Sequence, residues 1–186
     1  VAAERTFIRW HTCGLCEQQY HGVVRCALGW ACWKTYLGRP EGSVAQIMAM
    51  TQLGNGLGLA ERHEEALTVG EAELSMMQRF GAPQAEILAV QGNLSNTYSR
   101  LGRLEEALQM DRDIYSGRTK LHGEENERTL RAAYNYATSL HDLRRLDEAK
   151  SVLDMMMPVA RRVLGEDDPV GISMRECYAT VVFESV

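Results

Sequence analysis

The stretch Leu101-Gly-Arg-Leu-Glu-Glu-Ala107 decides the architecture, because it recurs as Ala60-Glu-Arg-His-Glu-Glu-Ala66 and as Leu143-Arg-Arg-Leu-Asp-Glu-Ala149. The closing alanines fall at 66, 107 and 149, steps of 41 and 42, and Gly81, Gly123 and Gly165 are 42 apart both times. Thirteen residues before each alanine stands a large apolar residue followed by a small one: Leu53-Gly54, Leu94-Ser95 and Tyr136-Ala137. Three coincident registers define a repeat whose unit is one helical hairpin. Such a hairpin cannot bury its apolar face alone, so neighbours stack. The small residues Gly54, Ser95 and Ala137 on the first helices, and Ala66, Ala107 and Ala149 on the second, are expected where two helices cross closely.

Working outward, the periodicity predicts helices over 43–60 and 63–79, 84–101 and 104–120, and 126–143 and 146–164. The units are then 43–81, 82–123 and 124–165, with a partial unit over 166–186. Ser43 followed by Gln46 is a capping-box pattern, Asn126 is a helix cap, and Asp168-Pro169 opens another helix. Gly54, Gly56 and Gly58 each cost their helix about 1 kcal/mol relative to alanine, so that helix depends on tertiary packing. Upstream, residues 22–37 carry apolar groups at helical spacing and read as a packing helix over the open end of the first unit. The break Gly38-Arg-Pro-Glu-Gly42 closes this 22–42 segment.

The 186 residues are 45% apolar and 24% charged, an ordinary balance for a folded chain. Net charge is −5, with 20 basic residues spread among 25 acids, so no nucleic-acid partner is expected. The uncharged run over 43–60 contains Gln46, Gln52, Asn55 and three glycines, which argues against a membrane span and a membrane partner. No secretory signal opens the chain, and a cytoplasmic location is expected. Val1 in place of methionine points to a fragment or a processed product, and residues 181–186 read as part of the first helix of a fourth unit.

Residues 1–21 differ from the rest. Cys13-Gly-Leu-Cys16 has the spacing of half a zinc site, in which two thiolates curl around one tetrahedral metal. The other nearby ligands are His11, His21, Cys26 and Cys32. Cys26 and Cys32 lie six residues apart on a helix, about 240° around its axis, and do not converge. Three readings stand: a remnant of a larger zinc module with Cys13 and Cys16 as ligands, a complete local zinc site, and plain reduced cysteines. No other cofactor is expected, zinc being reserved for a longer protein that completes the module.

The small-residue pattern and the Gly-Arg-Leu-Glu-Glu-Ala turn resemble a tetratricopeptide repeat over residues 43–186. The 42-residue period is similar to the long variety found in kinesin light chains, whose leucine-glycine-acid-acid-proline link is matched by Leu164-Gly-Glu-Asp-Asp-Pro169 and in part by Leu121-His-Gly-Glu-Glu-Asn126. The family's asparagine-leucine-alanine signature is matched by Asn93-Leu94-Ser95 and Asn135-Tyr136-Ala137, whereas Gln52-Leu53-Gly54 departs from it. The resemblance implies an all-α fold: a right-handed α-solenoid of antiparallel helix pairs, about three and a half units long, with an N-terminal packing helix. The front end resembles the last third of a RING-type finger, through Trp10, Cys13, Cys16, Tyr20 and Gly22; the earlier ligands of such a finger are missing.

No glycine-rich phosphate loop follows a strand and no Ser/His/Asp ordering stands out, so a non-enzymatic binding module is expected, taking a peptide or protein segment in a concave groove lined by the first helices. If Leu94 and Tyr98 face the core, Asn93 and Asn96 flank that stripe. The register then adds Gln52 and Asn55 in the first unit and Asn135 and Thr138 in the third, with Arg100, Arg131 and His141 close by. Side-chain amides can both donate to and accept from an extended peptide backbone, and arginines can take acidic side chains. The competing role for these amides is to bridge adjacent repeats. Two further readings are the substrate-recognition part of a RING-type ubiquitin ligase, and a structural subunit that self-associates end to end.

Overall fold

The computed structural model describes residues 7–13 and 15–185, and eight helices occur among them. These are α1 (Gly22–Tyr36), α2 (Val44–Leu59), α3 (His63–Arg79), α4 (Gln84–Arg100), α5 (Leu104–His122), α6 (Glu127–Asp142), α7 (Leu146–Leu164) and α8 (Pro169–Glu184). The only extended pairing among the described residues is an isolated antiparallel bridge, Thr12 to Gln19. The all-α repeat expected from the period is therefore the observed fold class. The chain divides into two compact units, Val1–Leu101 and Gly102–Val186; the division falls between α4 and α5, inside the second repeat.

Two kinds of turn generate the period. Within a hairpin, the second residue of the recurring heptapeptide takes a left-handed conformation: Glu61 at φ 61°, Gly102 at φ 72° and Arg144 at φ 60°. Only Gly102 adopts it without steric cost. The strain at the other two is offset by a six-residue closing bond, Arg62 N–H to Leu57 O at 3.0 Å and Arg145 N–H to Leu140 O at 2.9 Å. The arginine of each turn then pairs with the glutamate three residues on, Arg62 with Glu65, Arg103 with Glu106 and Arg145 with Glu148. Between successive hairpins, the glycines that marked the period at 81, 123 and 165 take φ of 67°, 78° and 87°, ending each second helix.

The helix starts follow the caps, with one difference. Asn126 accepts from Arg128 N–H, and Asp168 accepts from Val170 and Gly171 N–H. Ser43 Oγ accepts from Gln46 N–H, but the Gln46 side chain reaches Gly42 N–H at 3.0 Å instead of the amide of Ser43 itself. Gly42 holds φ 73°, and this turns its N–H toward the glutamine.

In the first unit α1 packs on α2. Cys26 joins Leu53, Leu57 and Ala66 in one cluster, while Cys32 and Tyr36 join Phe7 and Ala49 in another, with Phe7 stacked on Tyr36 at 4.9 Å. At this crossing the two backbones approach closely. A Cβ on Gly29 would lie 2.9 Å from Gln52 O, and one on Gly56 would lie 2.8 Å from Arg25 O. Gly54, expected to mark the tight crossing, meets nothing closer than Val69 Cγ1 at 3.8 Å. The reason is that α2 is approached most closely by α1, which lies outside the repeat, so the indispensable glycine sits two residues further round.

In the second unit Leu130, Leu140, Leu153, Met156, Met174 and Val181 are fully buried, around Ala133, Ala137 and Ala149. The methionines divide: Met50, Met77, Met156 and Met174 fill core and Met155 is exposed. No helix among the described residues is long and apolar enough to cross a membrane.

Candidate binding groove

Within the first unit, α2 and α4 face one cavity of 740 Å³ across a floor contributed by α3. From α2 come Thr51, Gln52 and Asn55, and from α4 come Asn93, Asn96, Thr97 and Arg100. Gly54, Gly58, Ala66 and Gly70 keep the space open, because none of them projects more than a methyl group. Leu94 is buried and Asn93 and Asn96 are exposed beside it, as a helix with its apolar stripe turned inward requires. Five of the nine residues expected at the groove, Gln52, Asn55, Asn93, Asn96 and Arg100, therefore share one site.

The remaining four lie on α6 in the second unit. Arg131 pairs with Glu127 at 2.9 Å, and Thr138 Oγ1 donates to Tyr134 O at 3.0 Å. His141 Nε2 lies 2.9 Å from Glu184 Oε2, which also accepts from Arg144 at 2.6 Å. Asn135 is half-buried. Three of these four thus make contacts within the fold, two of them to α6 itself and one to the last turn of α8.

Two buried charged groups that the spacing did not single out line the same cavity. Arg25, on α1, is 5% exposed; its Nη1 donates to Trp10 O and its Nη2 to Gln52 Oε1, both at 2.5 Å. Glu73, on α3, is 3% exposed and accepts from Thr51 Oγ1. Burial raises the Glu73 carboxyl to about 7, the hydroxyl bond opposing this only in part. His11 at the cavity's edge is held below its ordinary value, first by burial and then by Arg25. Nδ1 of His63, a further lining residue, is buried without a hydrogen-bond partner among the described residues.

Cys13 and Cys16 sit on the hairpin closed by the Thr12–Gln19 bridge, in which Cys13 N–H donates to Gln18 O and Glu17 N–H to Cys13 O, each at 2.9 Å. The Cys13 sulfur receives the amides of Cys16 and Leu15, then the Cys16 thiol and the Tyr20 hydroxyl, and is lowered to about 7. No group of three or more His, Cys, Asp or Glu side chains placed to hold a metal occurs among the described residues. Cys26 and Cys32 are buried in α1, and burial pushes the Cys32 thiol up to about 11.

The pattern of the Tetratricopeptide repeat family matches residues 45–120 and 86–161, together more than half of the 186. The chain belongs to the tetratricopeptide-repeat family. Among solved structures, this tetratricopeptide-repeat chain is similar to a Podosopora anserina protein described as a kinesin light chain with nearly identical TPR-like repeats, at TM-score 0.76 and 14% identity, over 86% of this chain and 76% of that one. It is also similar to BtubC (BKLC) from P. vanneervenii, at TM-score 0.71 and 15% identity, over 87% and 66%. A third likeness is to a Rap protein complexed with Competence and Sporulation Factor, at TM-score 0.63 and 14% identity, over 87% and 48%. At such identities the likeness is one of fold. No curated protein matches the sequence.

Both overlooked charges of this tetratricopeptide-repeat protein had a signal in its sequence. Arg25 is the single charge between Gly22 and Trp33. Glu73 falls on the inward stripe Ala66, Gly70, Glu73, Met77, where an acid is out of place on an amphipathic helix.

Proposed function

We propose that this chain is a protein-interaction module whose first unit takes an extended segment of a protein or peptide. The observation that supports it is the convergence of Gln52, Asn55, Asn93, Asn96 and Arg100, from two separate helices, on one cavity floored by small residues. Amides at repeat spacing match a peptide backbone, whose N–H and C=O groups recur along the chain. The Rap protein, similar in fold and complexed with Competence and Sporulation Factor, supports the same use of the scaffold. The test is retention of a synthetic pool of random decapeptides on the immobilised chain. Asn93→Ala combined with Asn96→Ala should reduce retention about tenfold or more while shifting the melting midpoint by no more than a degree or two, since both residues are surface-exposed. Equal retention by the variant and the unaltered chain would remove the groove from the account.

The cysteine hairpin supports a second reading, in which Cys13 and Cys16 are half of a zinc module completed by residues beyond those described, as in a RING-type ubiquitin ligase whose repeats choose the substrate. Two thiolates alone hold zinc weakly, so zinc added to this chain should be lost on dialysis against a chelator. Stoichiometric zinc surviving that dialysis would instead establish a complete local site.

A further inference from the structure

Cys13 and Cys16 sit in the hairpin closed by the Thr12–Gln19 bridge, which is fixed by three backbone bonds: Cys13 N–H to Gln18 O, Glu17 N–H to Cys13 O and Tyr20 N–H to His11 O, all at 2.9 Å. Glu17 takes a left-handed φ of 58° to make this turn. The turn brings the two sulfurs together. The Cys13 sulfur accepts from the amides of Cys16 and Leu15, from the Cys16 thiol and from the Tyr20 hydroxyl. Both sulfurs are open to solvent, Cys16 exposed and Cys13 half-exposed. The other three cysteines differ. Cys26 and Cys32 are buried in the packing of α1, and Cys177 is half-buried and is the single cysteine beyond residue 32. No group of three or more metal-ligating side chains includes Cys13 and Cys16 among the described residues, so what the hairpin assembles there is a pair. Two thiols already in contact within one turn close into a disulfide with little further loss of chain freedom, because the ordering that closure requires has been made by the fold.

We propose that Cys13 and Cys16 form a dithiol that exchanges with low-molecular-weight disulfides, closing reversibly into a disulfide across the hairpin. The exposed Cys16 sulfur attacks one sulfur of the incoming disulfide, so that a mixed disulfide forms and the first small thiol leaves. Cys13 then attacks the Cys16 sulfur, the Cys13–Cys16 bond forms and the second small thiol leaves. The two cysteines give up two protons and two electrons, and the incoming disulfide takes up both in becoming two thiols. The amide and hydroxyl donors around Cys13 hold its sulfur beside that of Cys16 and stabilise the negative charge that gathers on it as it attacks. This chemistry belongs to the hairpin and does not depend on the groove as a peptide site. A zinc ion on the same pair would block it, because both sulfurs would be engaged as ligands.

Incubation of the full chain with excess oxidised glutathione, after dialysis against a chelator, tests this. The number of thiols titrated after unfolding should fall from five to three, the chain should lose two hydrogens in mass, and peptide mapping should place the new bond between Cys13 and Cys16. A small dithiol reductant should restore all five. Cys13→Ser and Cys16→Ser should each stop with one glutathione attached, because no second sulfur remains beside it to displace it. That mixed disulfide should persist at least about tenfold longer on either variant than on the unaltered chain. Circular dichroism of the variants should match that of the unaltered chain, since neither sulfur belongs to the packed core. Five thiols remaining on the unaltered chain overturn the proposal, a result that does not depend on any variant folding. A bond mapped to any other cysteine, or a mixed disulfide as long-lived on the unaltered chain as on the variants, also overturns it. So does stoichiometric zinc retained through the dialysis, since the pair would then be committed to a metal.

Discussion

Replacing Gly56 by valine is expected to lower the melting midpoint of the first unit by about 10 °C, corresponding to about 3 kcal/mol of overpacking. The added Cβ would lie 2.8 Å from Arg25 O and 3.1 Å from Cys26 Cα, both backbone atoms that cannot swing aside as a side-chain tip does. The only relief is for α1 to move off α2, which uncovers Leu53 and Leu57 and draws Arg25 away from Gln52. Two other glycines of the same helix supply the control. Gly58 has nothing within 4 Å of a built Cβ, and Gly54 only Val69 Cγ1 at 3.8 Å. Alanine at either should raise stability by about 0.5–1 kcal/mol, since glycine in a helix interior loses more backbone freedom on folding. Thermal melts of the three single variants check this. A Gly56→Val midpoint equal to that of Gly54→Ala would show that α1 does not clamp α2 there.

Glu73→Gln is expected to stabilise the protein at pH 8 by up to about 3 kcal/mol and to leave it unchanged near pH 4.5. Burial lifts this carboxyl from an ordinary value of 4.5 to about 7, and each unit of such a shift corresponds to about 1.4 kcal/mol. The folded pKa lies above the unfolded one. Between the two, the folded chain therefore holds a proton that the unfolded chain has released, and stability falls as pH rises from about 4.5 to about 7. Above that window the loss is complete and constant. Glutamine keeps an oxygen for Thr51 Oγ1 and has no charge to desolvate. Other carboxylates titrate in both proteins, so the informative quantity is the difference between their stability–pH curves from denaturant unfolding. Parallel curves would show that Glu73 is solvated or paired in the folded chain. A residue that costs stability at the wall of a cavity is what a binding site accumulates, because selection there acts on the ligand and not on the fold.

What the sequence discloses about this fold follows from its periodicity. The glycines at 81, 123 and 165 can be read as helix ends from their spacing alone, since a left-handed residue is needed at each. The polar set of the first unit is legible for the same reason: a known inward residue, Leu94, places its neighbours on the helix surface by angle. Periodicity is silent where an unrepeated element intervenes. α1 lies outside the repeat, so nothing in the 42-residue register told that Gly56 would be pressed by it while Gly54 stayed free, or that Arg25 would reach Gln52. The fate of His141 depends likewise on the last turn of α8 bringing Glu184 within 2.9 Å, a contact spanning 43 residues. Glu73 was visible as an acid on an apolar stripe, but its partner Thr51 lies on another helix and its burial only emerges once α2, α3 and α4 are assembled.

The most direct measurement is nuclear magnetic resonance of the side-chain amides, titrated with a decapeptide recovered from the retained pool. If the groove of the first unit is the binding site, the NH2 resonances of Gln52, Asn55, Asn93 and Asn96 shift together and saturate at one peptide per chain, while amides of the second unit such as that of Asn135 stay in place. Saturating shifts confined to the second unit, with those four amides unmoved, would contradict the account.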